Sequence, residues 1–157
     1  MLEQEFDDIK KIVEQLKIYC AIQDKCEWDV IQKMKKWSLD GKKQNKILKI
    51  LNQEKYINEE RYSRSFCRGK FRIKKWGKIK IANELRKKDV DSLSISKGLE
   101  EIDDYEYEQE LNKQYQKKKN AINEKNTFIK NKKIASYLIN KGYEYNFVWE
   151  KIRESKQ

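Results

Sequence analysis

Apolar residues recur three and four positions apart along most of the chain, which is the spacing of one buried helix face. The first such stripe consists of Phe6, Ile9, Val13, Leu16 and Cys20. Proline is absent, glycine occurs only five times, and alternation of the strand type is hard to find. Because the chain is also rich in Lys, Glu, Gln, Ile and Leu, the pattern predicts an all-α fold.

Eight further helices are expected from the same spacing. In the first third, apolar positions mark two of them: Trp28, Ile31, Met34 and Trp37, stopping at Asp40-Gly41, then Ile47, Ile50 and Leu51. The middle third has three: Tyr62, Phe66, Gly69, Ile73 and Trp76, then Ile81, Ala82 and Leu85, then Ile95, Leu99 and Ile102. The last third has three: Tyr107, Leu111 and Tyr115, then Phe128, Ile134, Leu138 and Ile139, then Val148, Trp149 and Ile152.

Polar residues mark several helix ends. Asn58 is a good N-cap, and Glu59 and Glu60 then face the positive end of the helix dipole. Gly142 is expected to stop the eighth helix and Asn146 to cap the ninth. The polar run over residues 117–126 predicts a frayed end or a loop.

The nine helices group into three units, each with a long, a middle and a short helix. Equivalent places in the units, about 50 residues apart, are held by Met34, Leu85 and Leu138, and by Leu51, Leu99 and Ile152. One unit is too small to bury its own apolar face, so the units must stack. The sequence predicts an elongated array of three tandem three-helix repeats: residues 1–57 with the N-terminal helix, residues 58–104, and residues 105–157.

Composition narrows the chemistry. The 157 residues include 37 Lys and Arg against 26 Asp and Glu, so the net charge of +11 indicates an anionic partner or assembly. Histidine is absent, which removes the commonest general base, the commonest metal ligand and every nucleophile that histidine activates. There is also no phosphate-binding glycine loop. We therefore expect no enzyme, no catalytic residue, no metal site and no cofactor.

The cysteines and the N-terminus indicate a cellular location. Cys20, Cys26 and Cys67 are odd in number and show no C-x-x-C spacing, so we expect buried thiols in a reducing compartment. The first eight residues are acidic where a signal peptide would be basic and then apolar. No apolar run approaches the ~18 residues of a membrane span. A soluble, cytoplasmic protein with no membrane partner is expected.

A basic stripe runs along the predicted fourth helix, at about 120° from its apolar stripe. It comprises Arg61, Arg64, Arg68, Arg72 and Lys75. The excess of lysine is also what a gene rich in A and T would encode, but five of the six arginines lie in the middle repeat. Because guanidinium groups bind phosphate and carboxylate in a bidentate manner, this face is predicted to contact DNA or an acidic protein surface.

Three segments stand out: YINEERYSRSF at 56–66 and KKWGKIKIANEL at 74–85 in the middle repeat, and LINKGY at 138–143 in the third. The first two resemble the middle repeat of the RecX family, and the last is similar to a motif of that family's third repeat. The similarity spans about residues 17–152. Two departures are present: Trp76-Gly77-Lys78 replaces a frequent G-x-G-P, and Asp89 stands where a glycine commonly ends a helix. The exit of that helix is therefore expected to differ in angle.

The resemblance implies a non-enzymatic regulator of the recombinase RecA, acting in DNA repair, the SOS response and homologous recombination. Such a protein binds in the groove of the RecA–DNA filament and damps its ATPase and strand exchange. The implied partners are the RecA filament and single-stranded DNA, bound weakly or within the filament, and a monomer is expected. An elongated basic protein suits a long groove that holds DNA, because phosphates contribute salt-sensitive affinity.

The residues predicted to contact RecA or DNA share a basic or aromatic character and lie in the middle repeat. They are Arg61, Arg64, Arg68, Lys70, Arg72, Lys74, Lys75, Trp76, Lys78, Lys80, Arg86, Lys87 and Lys88. Trp76 is either a packing residue or a platform for a base. The acidic run 100–104 is expected to be a solvated linker between repeats.

One alternative stays open at this point. A stand-alone helical DNA- or RNA-binding protein would also be basic and helical. It would bind naked nucleic acid tightly with a steep salt dependence. No helix-turn-helix, zinc or RNA-binding signature is present to favour it.

Overall fold

The computed structural model of the protein describes residues 2–155, and within this range it contains nine α-helices and no strand. Their bounds are α1 (Leu2–Ile22), α2 (Glu27–Lys35), α3 (Gly41–Gln53), α4 (Glu59–Arg72), α5 (Lys78–Lys87), α6 (Ser92–Leu99), α7 (Asp104–Ala121), α8 (Thr127–Asn140) and α9 (Tyr145–Glu154). The predicted all-α fold is confirmed. Residues 1, 156 and 157, which the predicted first and third repeats include, lie outside the described residues.

The helices contact one another in consecutive threes. α3 packs on α1 and α2, α4 to α6 pack on one another, and α7 to α9 do the same. The division of the chain at residues 57 and 104 stays a prediction, although α4 begins after residue 57 and α7 begins at Asp104 itself.

Side-chain caps start five of the helices. Asp40, Asn58, Asp91, Asp103 and Asn126 each accept a hydrogen bond from the backbone N–H three residues later. The cap predicted at Asn58 is confirmed. These short polar side chains satisfy amides that have no partner within the helix, which fixes where each helix begins.

Two predicted boundaries in the last third are wrong. α9 begins at Tyr145 with Glu144 as its N-cap residue, so Asn146 lies inside the helix. α7 continues to Ala121, so the lysine run 117–119 is helical and only 122–126 form a loop. Lysine is a good helix former, and the Lys118 ammonium lies 4.6 Å from the centre of the Tyr137 ring, which ties this end of α7 to α8.

Several residues predicted to pack are exposed instead. Phe6, Ile73 and Phe128 are largely exposed, and Trp37 is exposed at the end of α2. On α4 the buried side consists of Tyr62, Ser63, Cys67 and Phe71, so only Tyr62 of the predicted stripe is fully buried. Two of these buried residues are small, and hydrophobicity alone undervalues them.

A close helix contact explains the rotation of α4. A Cβ atom on Gly98 of α6 would overlap the Ser63 hydroxyl and would lie 2.8 Å from the Cys67 sulfur. Because α4 and α6 meet through serine, cysteine and glycine, their axes approach closely and the small residues face the neighbour. Ile73 is consequently turned away from the core.

The described residues form two cores rather than one. The first core lies among α1, α2 and α3 and includes Leu16, Met34, Ile47 and Leu51. The second core is continuous from α4 to α9, and it also includes Cys26, the residue just before α2. The second and third predicted repeats therefore share one hydrophobic core, and the first has its own.

Backbone contacts join α5 to the turn between α8 and α9. The Gly77 N–H donates to the Lys141 carbonyl at 2.8 Å, and the Ile79 N–H donates to the Gly142 carbonyl at 3.0 Å. The Tyr143 hydroxyl donates to the Lys75 carbonyl at 3.0 Å. Gly142 has φ +103, a conformation that favours glycine. Gly77, Gly142 and Tyr143 are all buried, so these contacts lie within the shared core.

Polar side chains join the first core to the second. The Lys88 ammonium lies 3.1 Å from an Asp29 carboxylate oxygen and 3.0 Å from the Tyr62 hydroxyl. The Glu59 carboxylate accepts the Glu27 N–H at 2.8 Å. Burial raises the pKa of Glu59, since the charged carboxylate is partly withdrawn from water at this contact. These polar contacts lie beside an apolar one, because Cys26 is a member of the second core and Trp28 packs against that core.

The described residues contain neither a membrane-spanning helix nor a metal-binding cluster. No helix within residues 2–155 is long and apolar enough to span a bilayer. The same residues contain no cluster of three or more cysteine, aspartate or glutamate side chains arranged to hold a metal ion.

Candidate functional site

The arginines of α4 are largely engaged by carboxylates. Arg64 lies 3.0 Å from Glu60 and 3.1 Å from Glu101, and Arg68 lies 3.2 Å from the same Glu101 oxygen. The two guanidinium groups, Arg64 foremost, lower the pKa of Glu101 below its ordinary value. Glu101 is thus part of the arginine surface, and the prediction that the whole acidic run is a solvated linker is wrong at this residue.

The remaining members of the stripe lie in different surroundings. Arg61 turns toward the first core, where its Nε lies 2.9 Å from Asp24. Lys75 follows the end of α4 in a left-handed conformation and lies 3.9 Å from Glu110. Arg72 is exposed and makes no ion pair within the described range.

The predicted cations of α5 also differ in their partners. Lys78 lies 3.5 Å from Asp104, Lys87 lies 3.0 Å from Glu84, and Arg86 donates to the Asn83 side chain at 2.8 Å. Lys88 is held at the junction by Asp29 and Tyr62. Lys88 is therefore a structural contact between the two cores rather than a free surface charge.

Trp76 is surrounded by lysines. The Lys80 ammonium lies 4.6 Å from the centre of its ring and the Lys70 ammonium lies 5.1 Å from it. The side chain is partly buried and packs against the second core. Cation–π contacts hold both ammonium groups over the indole ring. The surface at Trp76 is therefore positively charged, and the ring face is not open.

A groove between the first core and α4 brings together residues that the sequence did not group. It has a volume of about 360 Å³ and is formed by the end of α1, the loop before α2, and the outer side of α4. Among its lining residues are Lys70 and Lys74, which were predicted as site residues, and Tyr19 and Lys25, which were not. Ile73 and Gly69 lie on its α4 side. The apolar stripe predicted on α4 could have indicated this groove, because its members Phe66, Gly69 and Ile73 line it.

The thirteen predicted site residues therefore do not form one uniform face. Arg61 and Lys88 belong to the junction, and Arg64 and Arg68 share Glu101. Lys78, Lys80, Arg86 and Lys87 lie along α5, and Lys70 lies beside Trp76. Within the described residues, the predicted cations without a carboxylate, amide or ring partner are Arg72 and Lys74. Arg72 and Lys74, at the end of α4, are therefore the predicted site cations whose charge is most available to an anion.

The cysteine thiols lie in the cores and have low reactivity. Cys20, Cys26 and Cys67 are free and buried, as predicted. Burial raises the pKa of the Cys26 thiol to about 12 and that of Cys67 to about 11. Because the thiolate is the reactive form, neither sulfur is a nucleophile near neutral pH.

Comparison with known proteins shows a consistent similarity to one family. Residues 58–99 match the family model described as "RecX, second three-helix domain". Over 136 residues the chain is 28% identical to the regulatory protein RecX of Streptococcus uberis, and over 135 residues it is 27% identical to that of Clostridium acetobutylicum. All three of these matches are to RecX proteins. Its matches cover 83% of this chain but only 50% and 62% of those two RecX proteins.

Solved RecX structures share the fold. A crystal structure of regulatory protein RecX superposes with a TM-score of 0.86 at 21% identity, covering 96% of this chain and 75% of the other. RecX from Lactobacillus salivarius superposes with a TM-score of 0.82 at 23% identity, covering 94% and 96%. The predicted helical-repeat fold is confirmed by these two RecX structures.

Proposed function

We propose that this RecX-family protein is a non-enzymatic inhibitor of the RecA recombinase. It binds in the groove of the RecA–DNA filament and damps ATPase and strand exchange. The observation that carries the proposal is the family match over residues 58–99, which is the segment with five of the six arginines. The two relatives are regulatory proteins by name, and the same role is proposed for this chain in the cytoplasm, as a monomer.

The charge distribution supports an anionic partner. The chain carries a net charge of +11, and the outer end of α4 holds Arg72 and Lys74 without ion pairs within the described residues. Phosphates of DNA in the filament are attracted to such a surface, and bound counterions are released on contact. The proposed first contacts are therefore at the end of α4.

The paired arginines have a second part in the proposal. Arg64 and Arg68 hold Glu101 on the surface, where an ion pair contributes little to stability because water and salt screen it. A phosphate or an acidic side chain of the partner competes with Glu101 for the two guanidinium groups. The arginine face thus binds by exchanging one carboxylate for another anion.

The structure of the second core supports a rigid binding surface. α4, α5 and α6 share their core with α7, α8 and α9, and backbone hydrogen bonds at Gly77 and Ile79 fix the two groups to each other. A surface on rigid elements loses little conformational entropy when it binds. The filament therefore meets a preformed basic surface rather than one that must order.

The test is the single-strand-dependent ATPase of the cognate recombinase, titrated with this protein well below one molecule per recombinase subunit. The proposal predicts strong inhibition at ratios where sequestration of naked DNA is negligible. Unchanged ATPase at every ratio contradicts it. Tight binding of free DNA or RNA in the same buffer would then favour the stand-alone nucleic-acid binder.

A further inference from the structure

The outer side of α4 carries an apolar stripe that the described residues cover only in part. Phe66, Gly69 and Ile73 follow one another at spacings of three and four, so they lie on one side of the helix. Ile73 is 79% exposed, and Phe66 is partly buried. The stripe lines the groove of about 360 Å³ beside the end of α1. A helix side of this kind is the pattern by which one helix packs on another.

Gly69 has no packing role within the described residues. A Cβ atom at this position would have nothing within 4 Å, and the residue has no positive φ that would require glycine. A glycine inside a helix is less stable than alanine there, since it loses more backbone freedom on folding. Its missing side chain does, however, let another chain approach the α4 backbone closely.

The groove is rimmed by unpaired positive charge. Its two aspartates are already engaged, Asp24 by Arg61 at 2.9 Å and Asp29 by Lys88 at 3.1 Å. Its other lysines, Lys25, Lys70 and Lys74, make no ion pair within residues 2–155. An apolar stripe flanked by ammonium groups that hold no carboxylate is complementary to an acidic amphipathic surface.

The aromatic rings of the groove are poorly placed to stack on bases. The Lys25 ammonium lies 4.7 Å from the centre of the Tyr19 ring and Lys33 lies 5.2 Å from it. Lys70 and Lys88 lie 5.4 and 5.8 Å from the centre of the Phe66 ring. Single-stranded nucleic acid is usually held by open aromatic faces, and here ammonium groups cover them. The exposed aliphatic side chain of Ile73 also favours a protein.

We propose that this groove binds an acidic amphipathic α-helix of a partner protein. The helix lies along Phe66, Gly69 and Ile73, with a small residue against Gly69 and carboxylates toward Lys25, Lys70 and Lys74. The inference rests on the proposed function for its setting, because it assigns the contact that a protein subunit of the filament makes. The chemistry of the groove does not depend on which protein supplies the helix.

The test uses the full chain and a synthetic helical peptide of about five turns, with a leucine and alanine stripe at helical spacing and glutamates on its flanks. Binding is followed by fluorescence anisotropy. The groove is filled by Gly69→Leu and given negative charge by Ile73→Asp. Matched controls are Gly41→Leu, at a helical glycine that also has nothing within 4 Å, and Leu93→Asp, at an aliphatic residue that is 67% exposed.

The expected result separates folding from binding. Gly69→Leu raises the melting temperature by about 2–4 °C, since a helix-interior glycine is replaced. Gly69→Leu and Ile73→Asp each weaken binding of the acidic peptide at least about tenfold, while both controls stay within about twofold. A peptide with the same composition in scrambled order does not bind.

Three results overturn the inference. The wild-type protein fails to bind the acidic peptide, or it binds equally well with Gly69→Leu, or a thymidine oligonucleotide is the ligand that Gly69→Leu releases. None of these measurements contains the recombinase, so they stand apart from the ATPase titration. If the protein does not bind the peptide but still inhibits the recombinase ATPase, the role assigned to the groove is wrong and the proposed function stands.

Discussion

Gly77 and Gly142 bring the backbones of the second and third predicted repeats into direct contact. A Cβ atom on Gly77 would overlap the carbonyl group of Gly142, and the peptide groups on either side are hydrogen bonded, Gly77 N–H to Lys141 carbonyl and Ile79 N–H to Gly142 carbonyl. The two glycines therefore set how α5 meets the turn before α9. Tyr143, the residue after Gly142, is a member of the shared core.

The first prediction concerns that contact. Gly77→Ala should destabilise the fold by about 1–3 kcal/mol or more, because the added methyl group has no free space and the backbone must shift. The free energy of unfolding in urea measures the effect. Gly41→Ala is the control, since a Cβ there meets nothing within 4 Å and should be neutral or slightly stabilising. Equal stability of the two variants would contradict the close approach.

The second prediction concerns the shared core. Leu85 is fully buried in it, so Leu85→Ala should cost about 2–5 kcal/mol of unfolding free energy. Tyr62 should behave similarly, whereas Phe66→Ala should cost less because Phe66 is only partly buried. Leu93→Ala, at an exposed leucine, should stay within about 0.5 kcal/mol. Chemical denaturation with circular dichroism detection compares the four, and a small loss at Leu85 would contradict the core.

The third prediction is a pH dependence at Glu101. Its folded-state pKa is lowered by Arg64 and Arg68, so the ionised form is favoured in the folded protein. The stabilisation it contributes is present above the ordinary value of 4.5 and is lost as the pH falls through the lower folded-state pKa. Wild type should therefore melt above Glu101→Gln at pH 7, and the gap should close in acid.

The melting temperatures of wild type and Glu101→Gln between pH 7 and pH 3 make this measurement. Glu108→Gln is a suitable control, because Glu108 is exposed and makes no ion pair within the described residues. A gap between wild type and Glu101→Gln that stays constant into acid, or that widens there, would contradict the assigned ion pairs.

The fourth prediction concerns the basic surface. Reversal of Arg64, Arg68 and Arg72 is expected to abolish filament inhibition, but it also removes the ion pairs that Arg64 and Arg68 make with Glu101. Arg72→Glu with Lys74→Glu is the sharper variant, since these side chains are exposed and hold no carboxylate within residues 2–155. Inhibition should fall about tenfold or more with helicity unchanged.

A control for charge alone accompanies that variant. Lys117→Glu with Lys125→Glu changes the net charge by the same amount at two exposed positions outside the middle repeat. Its inhibition of the recombinase ATPase should stay close to that of wild type. Equal loss in both double variants would show a general effect of net charge rather than a surface at the end of α4.

Helix periodicity predicted most of the fold. Stripes such as Tyr107, Leu111 and Tyr115 are buried as expected, and the cap at Asn58 is in place. The errors have local causes. On α4 the buried side is set by Ser63 and Cys67 against Gly98, and no hydrophobic pattern contains the close approach of a distant glycine. At the ninth helix the pattern chose Asn146, but the helix begins at Tyr145, after a Glu144 whose side chain makes no capping hydrogen bond.

The contacts of the candidate site were harder to predict from the sequence than the helices were. Arginine spacing identified the surface of α4, but it did not indicate that Glu101, 37 residues after Arg64, would lie against it. Asp89, where the RecX pattern commonly has glycine, keeps a backbone conformation that is typical of glycine. Asp89 has φ +57, a left-handed conformation that glycine adopts freely and aspartate tolerates, so the chain keeps the turn with a different residue.

The most direct test of the central claim compares two partners under one set of conditions. Fluorescently labelled protein is titrated with preformed recombinase filaments on single-stranded DNA, and with the same DNA alone, over a range of salt concentrations. The account predicts tighter binding to the filament at every salt concentration and a shallower salt dependence than for naked DNA. The account is contradicted if the protein binds naked DNA as tightly as the filament or more tightly, and if both affinities fall equally steeply with salt concentration.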